Sequence, residues 1–190
     1  MFETLFSIPT GLIIIFGLRL LVPLTIFRWP LWGGLASLAI DALDVEITKP
    51  LGVHIPNYIL TDKYLDTYYL TIELIVSLRW INKLAKNTSI LLYFWRFLGV
   101  LAFQLSGEER WLFFTPNLFE YFFLFFVIMQ MLGKETSTKS WLNSPKRLVT
   151  VLFLLLISKM PQEFVLHLHK VSYSFGTIIE RIKELILLGS

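Results

Sequence analysis

Cysteine is absent from the 190 residues of this chain, and charged residues make up only 16% of it. The absence of cysteine excludes disulfides, thiolate metal sites and cysteine nucleophiles. Soluble domains carry about 25% charged residues, so this chain lacks the charge that keeps a protein surface hydrated. The formal net charge of +3 is also too small to indicate a nucleic-acid partner.

Apolar residues are abundant: they account for 55% of the chain, occur in long runs, and give a mean hydropathy of +0.66. A helix that spans a bilayer needs about 20 mostly apolar residues, and only structures that satisfy their own backbone hydrogen bonds are stable in lipid. The composition therefore predicts an all-α integral membrane bundle of about six transmembrane helices. The expected spans are residues 11–27, 31–47, 62–81, 89–105, 111–132 and 148–160.

Three prolines mark expected boundaries. Pro50 should end the second span, because proline and the residue before it are poorly compatible with a continuing helix. Pro116 should kink the fifth span. After Pro161 the apolar residues follow a 4-3-4-3 spacing, which predicts an amphipathic helix. We therefore divide the chain into a transmembrane domain, residues 1–160, and a C-terminal helix, 161–190, which lies either in the membrane interface or against a partner helix.

The four aspartates of the chain form two pairs. Asp41 and Asp44 are three residues apart, and Asp62 and Asp66 are four apart, so each pair shares one face of a helix. The pairs lie at the end of the second span and the start of the third, which antiparallel packing brings to the same membrane surface. Carboxylates without histidine or cysteine are ligands for Mg²⁺, Mn²⁺ or Ca²⁺. The pattern predicts a shared cation site, with an ordinary solvated loop border as the alternative.

The spacing of these aspartates resembles the signature of the CDP-alcohol phosphatidyltransferase family, D-x2-D-G-x2-A-R-x8-G-x3-D-x3-D. All four acidic positions are filled in register, and the family also has six spans with its motif across the second and third. The resemblance implies that Asp41, Asp44, Asp62 and Asp66 bind two Mg²⁺ or Mn²⁺ ions on the diphosphate of a CDP-linked donor. It also implies that Asp66 is the general base that deprotonates the acceptor alcohol.

The other motif positions differ from the family pattern. Val45 and Tyr58 replace the two glycines, and Thr48-Lys49 replaces Ala-Arg. In the family those glycines let the cytidine nucleotide approach the backbone, and lysine lacks the bidentate fork with which arginine holds phosphate. We expect Lys49, Tyr58 and His54, which lies between the two aspartate pairs, to contact the substrate. Tyr58 either obstructs the cytidine or stacks on it.

Two functions are consistent with this sequence. The first is a divergent metal-dependent phosphatidyltransferase that moves a phospho-alcohol group during phospholipid synthesis. The second is an inactive descendant that serves as a structural or assembly subunit of a larger membrane complex. The expected partners are membrane lipids and a CDP-linked donor, and a homodimer or a larger complex is open in either case. The resemblance places the aspartates on the cytoplasmic side, whereas the excess of lysine and arginine in the opposite loops favours the reverse orientation.

Several other charged residues fall within the expected spans. Such residues are expensive in lipid and are usually functional or paired internally. Glu73 and Arg96 are predicted to form an ion pair between neighbouring spans, and a lipid phosphate is one partner considered for Arg19.

Overall fold

A computed structural model of the protein describes residues 10–48, 58–136 and 140–167. These residues are helical apart from short connections and one isolated β-bridge between Glu135 and Ser140. The all-α class is therefore confirmed for the described part of the chain. Its α-helices are α1 (Thr10–Leu21), α2 (Pro30–Thr48), α3 (Tyr58–Ser77), α4 (Lys83–Ser106), α5 (Arg110–Phe114), α6 (Leu118–Met131) and α7 (Pro145–His167).

Proline determines the path of the chain from α1 to α2. The helix tightens into a 3₁₀ segment, Val22–Phe27, because Pro23 has no N–H to donate to the carbonyl of Arg19. The chain then turns at Arg28 and Trp29, and α2 begins at Pro30, whose fixed φ suits the first position of a helix. At its other end the described part of α2 reaches Thr48. The end that the sequence predicts at Pro50 lies outside the described residues.

Pro116 interrupts the fifth apolar stretch, at the position where the sequence predicts a kink. The stretch forms two helices, α5 and α6. The break leaves carbonyls without helical donors, since Pro116 has no N–H for the carbonyl of Leu112. Arg96 on α4 replaces these donors: its Nη1 donates to the carbonyl oxygens of Leu112 at 3.2 Å and Thr115 at 2.7 Å.

Aromatic side chains of α6 form the centre of the main hydrophobic core. Phe122, Phe123 and Phe126 are almost completely buried there. Trp80, just after α3, packs against all three, and its ring centroid lies 4.1 Å from that of Phe126. This packing joins the C-terminal end of α3 to the middle of α6.

Among the described residues, two helical stretches are long and apolar enough to cross a membrane, judged by length and composition alone: Lys83–Ser106 and Arg110–Met131. The second includes α5 and α6 and is 67% buried inside the bundle, as a core helix of a soluble protein also is. A bundle of six spans stays a prediction.

The last described helix, α7, continues past Pro161 to His167. The predicted amphipathic tail therefore begins within a helix that also contains the sixth expected span. Most of the residues that carry its apolar spacing lie outside the described residues.

Candidate functional site

The path of the chain between α1 and α2 places Arg19 opposite the first aspartate pair. Between Arg19 and the α1–α2 turn lie about three α-helical residues, each rising 1.5 Å along the helix axis, and six 3₁₀ residues, each rising about 2.0 Å. From Pro30 to Asp41 it returns by eleven helical residues. Both distances come to roughly 16 to 17 Å. Arg19 and Asp41 are therefore at the same height in the bundle.

All four aspartates contact the guanidinium group of Arg19. Its Nη1 donates to Asp44 Oδ2 at 2.6 Å and to Asp62 Oδ1 at 2.8 Å. Its Nη2 donates to Asp66 Oδ1 at 2.8 Å and also to Asp41 Oδ1. The aspartates of α2 and α3 thus converge as the sequence predicts, but a side chain from α1 lies between them.

Lys63 supplies a second positive charge from within α3. Its ammonium group donates to Asp62 Oδ2 at 2.7 Å and to Asp66 Oδ2 at 2.8 Å. Asp62 and Asp66 therefore each bind both cations, one through each carboxylate oxygen. We refer to the four aspartates with Arg19 and Lys63 as the aspartate cluster.

The aspartate cluster is almost entirely removed from solvent. Arg19, Lys63 and three of the aspartates are buried, while the side chain of Asp41 is 29% exposed. Four carboxylates and two cations leave a formal charge of two negative units in this interior. Excess charge in a buried site is costly unless a further cation or protons compensate it.

Three of the aspartates have the geometry of a possible ligand set. One carboxylate oxygen each from Asp41, Asp62 and Asp66 lies within 4.8 Å of the other two. Oxygen donors of this kind suit a hard divalent ion such as Mg²⁺, whose bonds are about 2.1 Å long, so the carboxylates would have to close in on it. The donor chemistry fits one such ion, provided that the Nη2 of Arg19 moves from between Asp41 and Asp66.

A small cavity adjoins the aspartate cluster on its interior side. It has a volume of about 10 Å³ and is lined by Arg19, Asp41, Ser37 and Tyr69, among others. That volume is about enough for one water molecule. A nucleotide cannot enter there, so a larger ligand has to approach the cluster from the side of Asp41.

The residues expected to contact the substrate are not described in the same detail. Lys49 and His54 lie outside the described residues. Tyr58 is the first residue of α3. The residues before it lie outside the described part of the chain. The contribution of these three residues stays a prediction.

Arg19 and Lys63 are the members of the cluster that the sequence pattern did not assign to it. Lys63 carries a local signal, because it lies three residues before Asp66 and so shares its helix face. The signal for Arg19 is weaker: along the helix axis, Arg19 lies as far from the α1–α2 turn as Asp41 does. That distance matches only because the chain tightens at Pro23, and residue spacing alone does not reveal the tightening.

The predicted ion pair between Glu73 and Arg96 is wrong. Arg96 instead donates to the carbonyls at the α5–α6 break, which lack helical donors. Glu73 is 0% exposed, and among the described residues neither of its carboxylate oxygens has a hydrogen-bond partner. The Oε1 of Glu120 and the hydroxyl of Tyr69 are likewise buried and without a partner among those residues.

The fold and the site together define a helical bundle with a buried, internally paired carboxylate cluster. Comparisons with known protein families, curated proteins and solved structures find no match to this chain.

Proposed function

We propose that the chain is a multi-pass membrane protein whose aspartate cluster binds one divalent cation for phospho-alcohol transfer of the CDP-alcohol type. The observation that carries this proposal is the convergence of the four motif aspartates, from two helices, in one buried site with two excess negative charges. One divalent ion neutralises that excess. A second ion would leave the buried site positive until an anionic substrate bound, so the charge balance favours one ion over two.

The outward-facing side chains of α4 support a membrane location. Leu91, Leu98 and Leu105 recur at intervals of seven residues and so lie along one side of the helix. All three are more than half exposed, with Leu105 reaching 82%. Soluble monomers rarely expose continuous apolar surface of this kind, whereas lipid solvates it.

The residues of the cluster have two roles in this proposal: some would bind the ion, and others orient the carboxylates. Asp41, Asp62 and Asp66 would hold the ion, which supplies Lewis-acid stabilisation of phosphoryl oxygens when bound. Arg19 and Lys63 fix the orientation of the inner carboxylates, and both are cations able to bind a donor phosphate. Both oxygens of Asp66 already accept from these cations. Asp66 acts as a general base only if one of those two contacts opens.

The exposed face of the cluster determines where a donor binds. Asp41 is the one aspartate whose carboxylate is appreciably exposed. The donor diphosphate would therefore approach next to Asp41. Tyr58, at the start of α3, would lie at the same end of the bundle, where an aromatic ring can stack on cytosine.

Divalent cations test this proposal directly. Detergent-solubilised protein is expected to gain thermal stability from millimolar Mg²⁺ or Mn²⁺, because a ligand that binds only the folded state stabilises it. At a hundred times the dissociation constant the gain is about 2.7 kcal/mol. Asp41→Asn should remove most of the gain, since it alters the most accessible ligand, and Glu109→Gln, outside the cluster, should keep it. With Mg²⁺ and an acceptor alcohol present, reconstituted protein should also release CMP from a CDP-linked lipid donor, as the acceptor hydroxyl gives up its proton and takes the phospholipid group.

An inactive scaffold is the second candidate function. It is favoured by the contacts of Arg19 with all four aspartates, which already give the cluster a bound cation. On this alternative Mg²⁺ and Mn²⁺ leave the unfolding temperature unchanged, and Asp41→Asn behaves like Glu109→Gln. Ion binding without CMP release would instead indicate a structural ion site.

A further inference from the structure

A groove opens at the end of the bundle opposite the aspartate cluster. It lies between the first turn of α2 and the C-terminal part of α6 and has a volume of about 430 Å³. This is within the range of about 300 to 1,000 Å³ that small-molecule sites occupy. We call it the α2–α6 groove; the residues used below are Arg28, Trp29, Trp32, Val127 and Met131.

The walls of the α2–α6 groove combine one cation with apolar and aromatic surface. The side chain of Arg28 is exposed and has no ion pair or hydrogen bond with the described residues. Trp29 and Trp32 are both more than half exposed, and Trp32 reaches 66%. Indole rings with one apolar face and one polar N–H are typical of the boundary between lipid and water. Val127 and Met131 continue the groove along α6 as an apolar surface.

The surroundings of the groove are strongly basic. This end of the bundle carries six further cations within the described residues: Arg79, Lys83, Lys86, Lys134, Lys146 and Arg147. The acid described at this end, Glu135, is buried and accepts hydrogen bonds from Asn82, Ser140 and Leu142. The electrostatic potential around Arg28 is therefore positive and attracts an anionic ligand.

We infer that the α2–α6 groove is a binding site for one anionic phospholipid. Arg28 binds the lipid phosphate, the two tryptophans lie at the level of the headgroup, and an acyl chain packs along Val127 and Met131. An ion alone would leave the apolar walls exposed, and a zwitterionic phospholipid would add its ammonium group to an end of the bundle that is already basic. The inference rests on the membrane location in the proposed function but not on metal binding or catalysis.

Tryptophan fluorescence provides the test. Detergent-solubilised full-length protein is titrated with phosphatidylglycerol or phosphatidylcholine whose acyl chains carry bromine, a contact quencher. Phosphatidylglycerol is expected to quench at lower concentration, and Trp32→Phe should remove more of the saturable quenching than Trp111→Phe, on α5 at the other end. Arg28→Gln should raise the half-saturating concentration of phosphatidylglycerol by about tenfold, which corresponds to the loss of one charge-assisted contact.

Lys83→Gln is the matched control, because Lys83 is an exposed cation at the same end but does not line the groove. It should change the half-saturating concentration by less than about twofold, as expected for a solvent-exposed charge. Equal effects of Arg28→Gln and Lys83→Gln would overturn the inference in favour of diffuse surface charge. Equal quenching by the two lipids, or full displacement of phosphatidylglycerol by equimolar inorganic phosphate, would also overturn it. All of these results leave the outcome of the Mg²⁺ experiment unaffected.

Discussion

Two buried acidic regions of the same bundle differ in whether their carboxylates have hydrogen-bond partners. In the aspartate cluster every carboxylate accepts a hydrogen bond from a cation. Glu73 lies seven residues, or about two helical turns, beyond Asp66 on α3, and among the described residues it has no such partner. The difference shows that burial alone does not determine how a carboxylate is satisfied in this fold.

Their neighbours explain the contrast. The aspartates of α2 and α3 face Arg19 and Lys63, whereas Glu73 lies beside Gly34 of α2 and near a second buried acid, Glu120 of α6. A Cβ added at Gly34 would lie 3.4 Å from Glu73 Oε1 and 2.9 Å from Leu124 Cδ2. An unsatisfied buried polar group costs about 1 to 3 kcal/mol. A buried acid with no hydrogen-bond partner among the described residues is therefore worth experimental study.

Arg19→Gln should produce the largest change. Removing the guanidinium leaves four carboxylates with Lys63 alone, and breaking a buried ion pair of this kind costs about 3 to 5 kcal/mol. The unfolding temperature of the solubilised protein should fall by on the order of 10 °C. Millimolar Mg²⁺ should restore part of the loss and stabilise this variant more than the native chain, since the ion no longer competes with Arg19.

Arg110→Gln serves as the control for that variant, because its ion pair with Glu108 is exposed. Its effect should be less than about 1 kcal/mol. If both arginine variants unfold at the same temperature, the aspartate cluster does not depend on Arg19 and the contrast with Glu73 disappears.

Glu73→Leu should stabilise the protein by about 1 to 3 kcal/mol, because an apolar side chain removes two unsatisfied oxygens from an apolar environment. Glu135→Leu is the matched comparison at another buried glutamate. It should destabilise the protein by a similar amount, since it leaves the donors at Asn82, Ser140 and Leu142 without their acceptor. Thermal unfolding of the two variants measures both effects, and a loss of stability in Glu73→Leu would show that Glu73 has a partner.

The smallest expected effect is the coupling between Glu73 and Arg96. Their side chains share no hydrogen bond, so a double-mutant cycle of Glu73→Leu and Arg96→Met should be additive within about 0.5 kcal/mol. Arg96→Met alone should be destabilising, because it removes the donor to two carbonyls at the α5–α6 break. A coupling free energy above about 1 kcal/mol in the cycle would show that the two side chains do interact.

The sequence by itself determined the helical class, several helix boundaries and the grouping of the aspartates. These depend on local rules: Pro116 interrupts the fifth apolar stretch, and residues three or four apart share a helix face. The convergence of Asp41 with Asp62 followed from one further assumption, that consecutive helices are antiparallel.

Only the tertiary structure determined which cation, if any, pairs with each buried acid. Arg19 reaches the aspartates because the 3₁₀ segment at Pro23 lengthens the rise per residue, and Arg96 is diverted to the carbonyls that Pro116 leaves free. Neither outcome is visible in local spacing, since each depends on the distance between helices that pack side by side. Glu73 is left without a hydrogen-bond partner among the described residues for the same reason: its neighbours Gly34 and Glu120 come from helices that are distant in sequence.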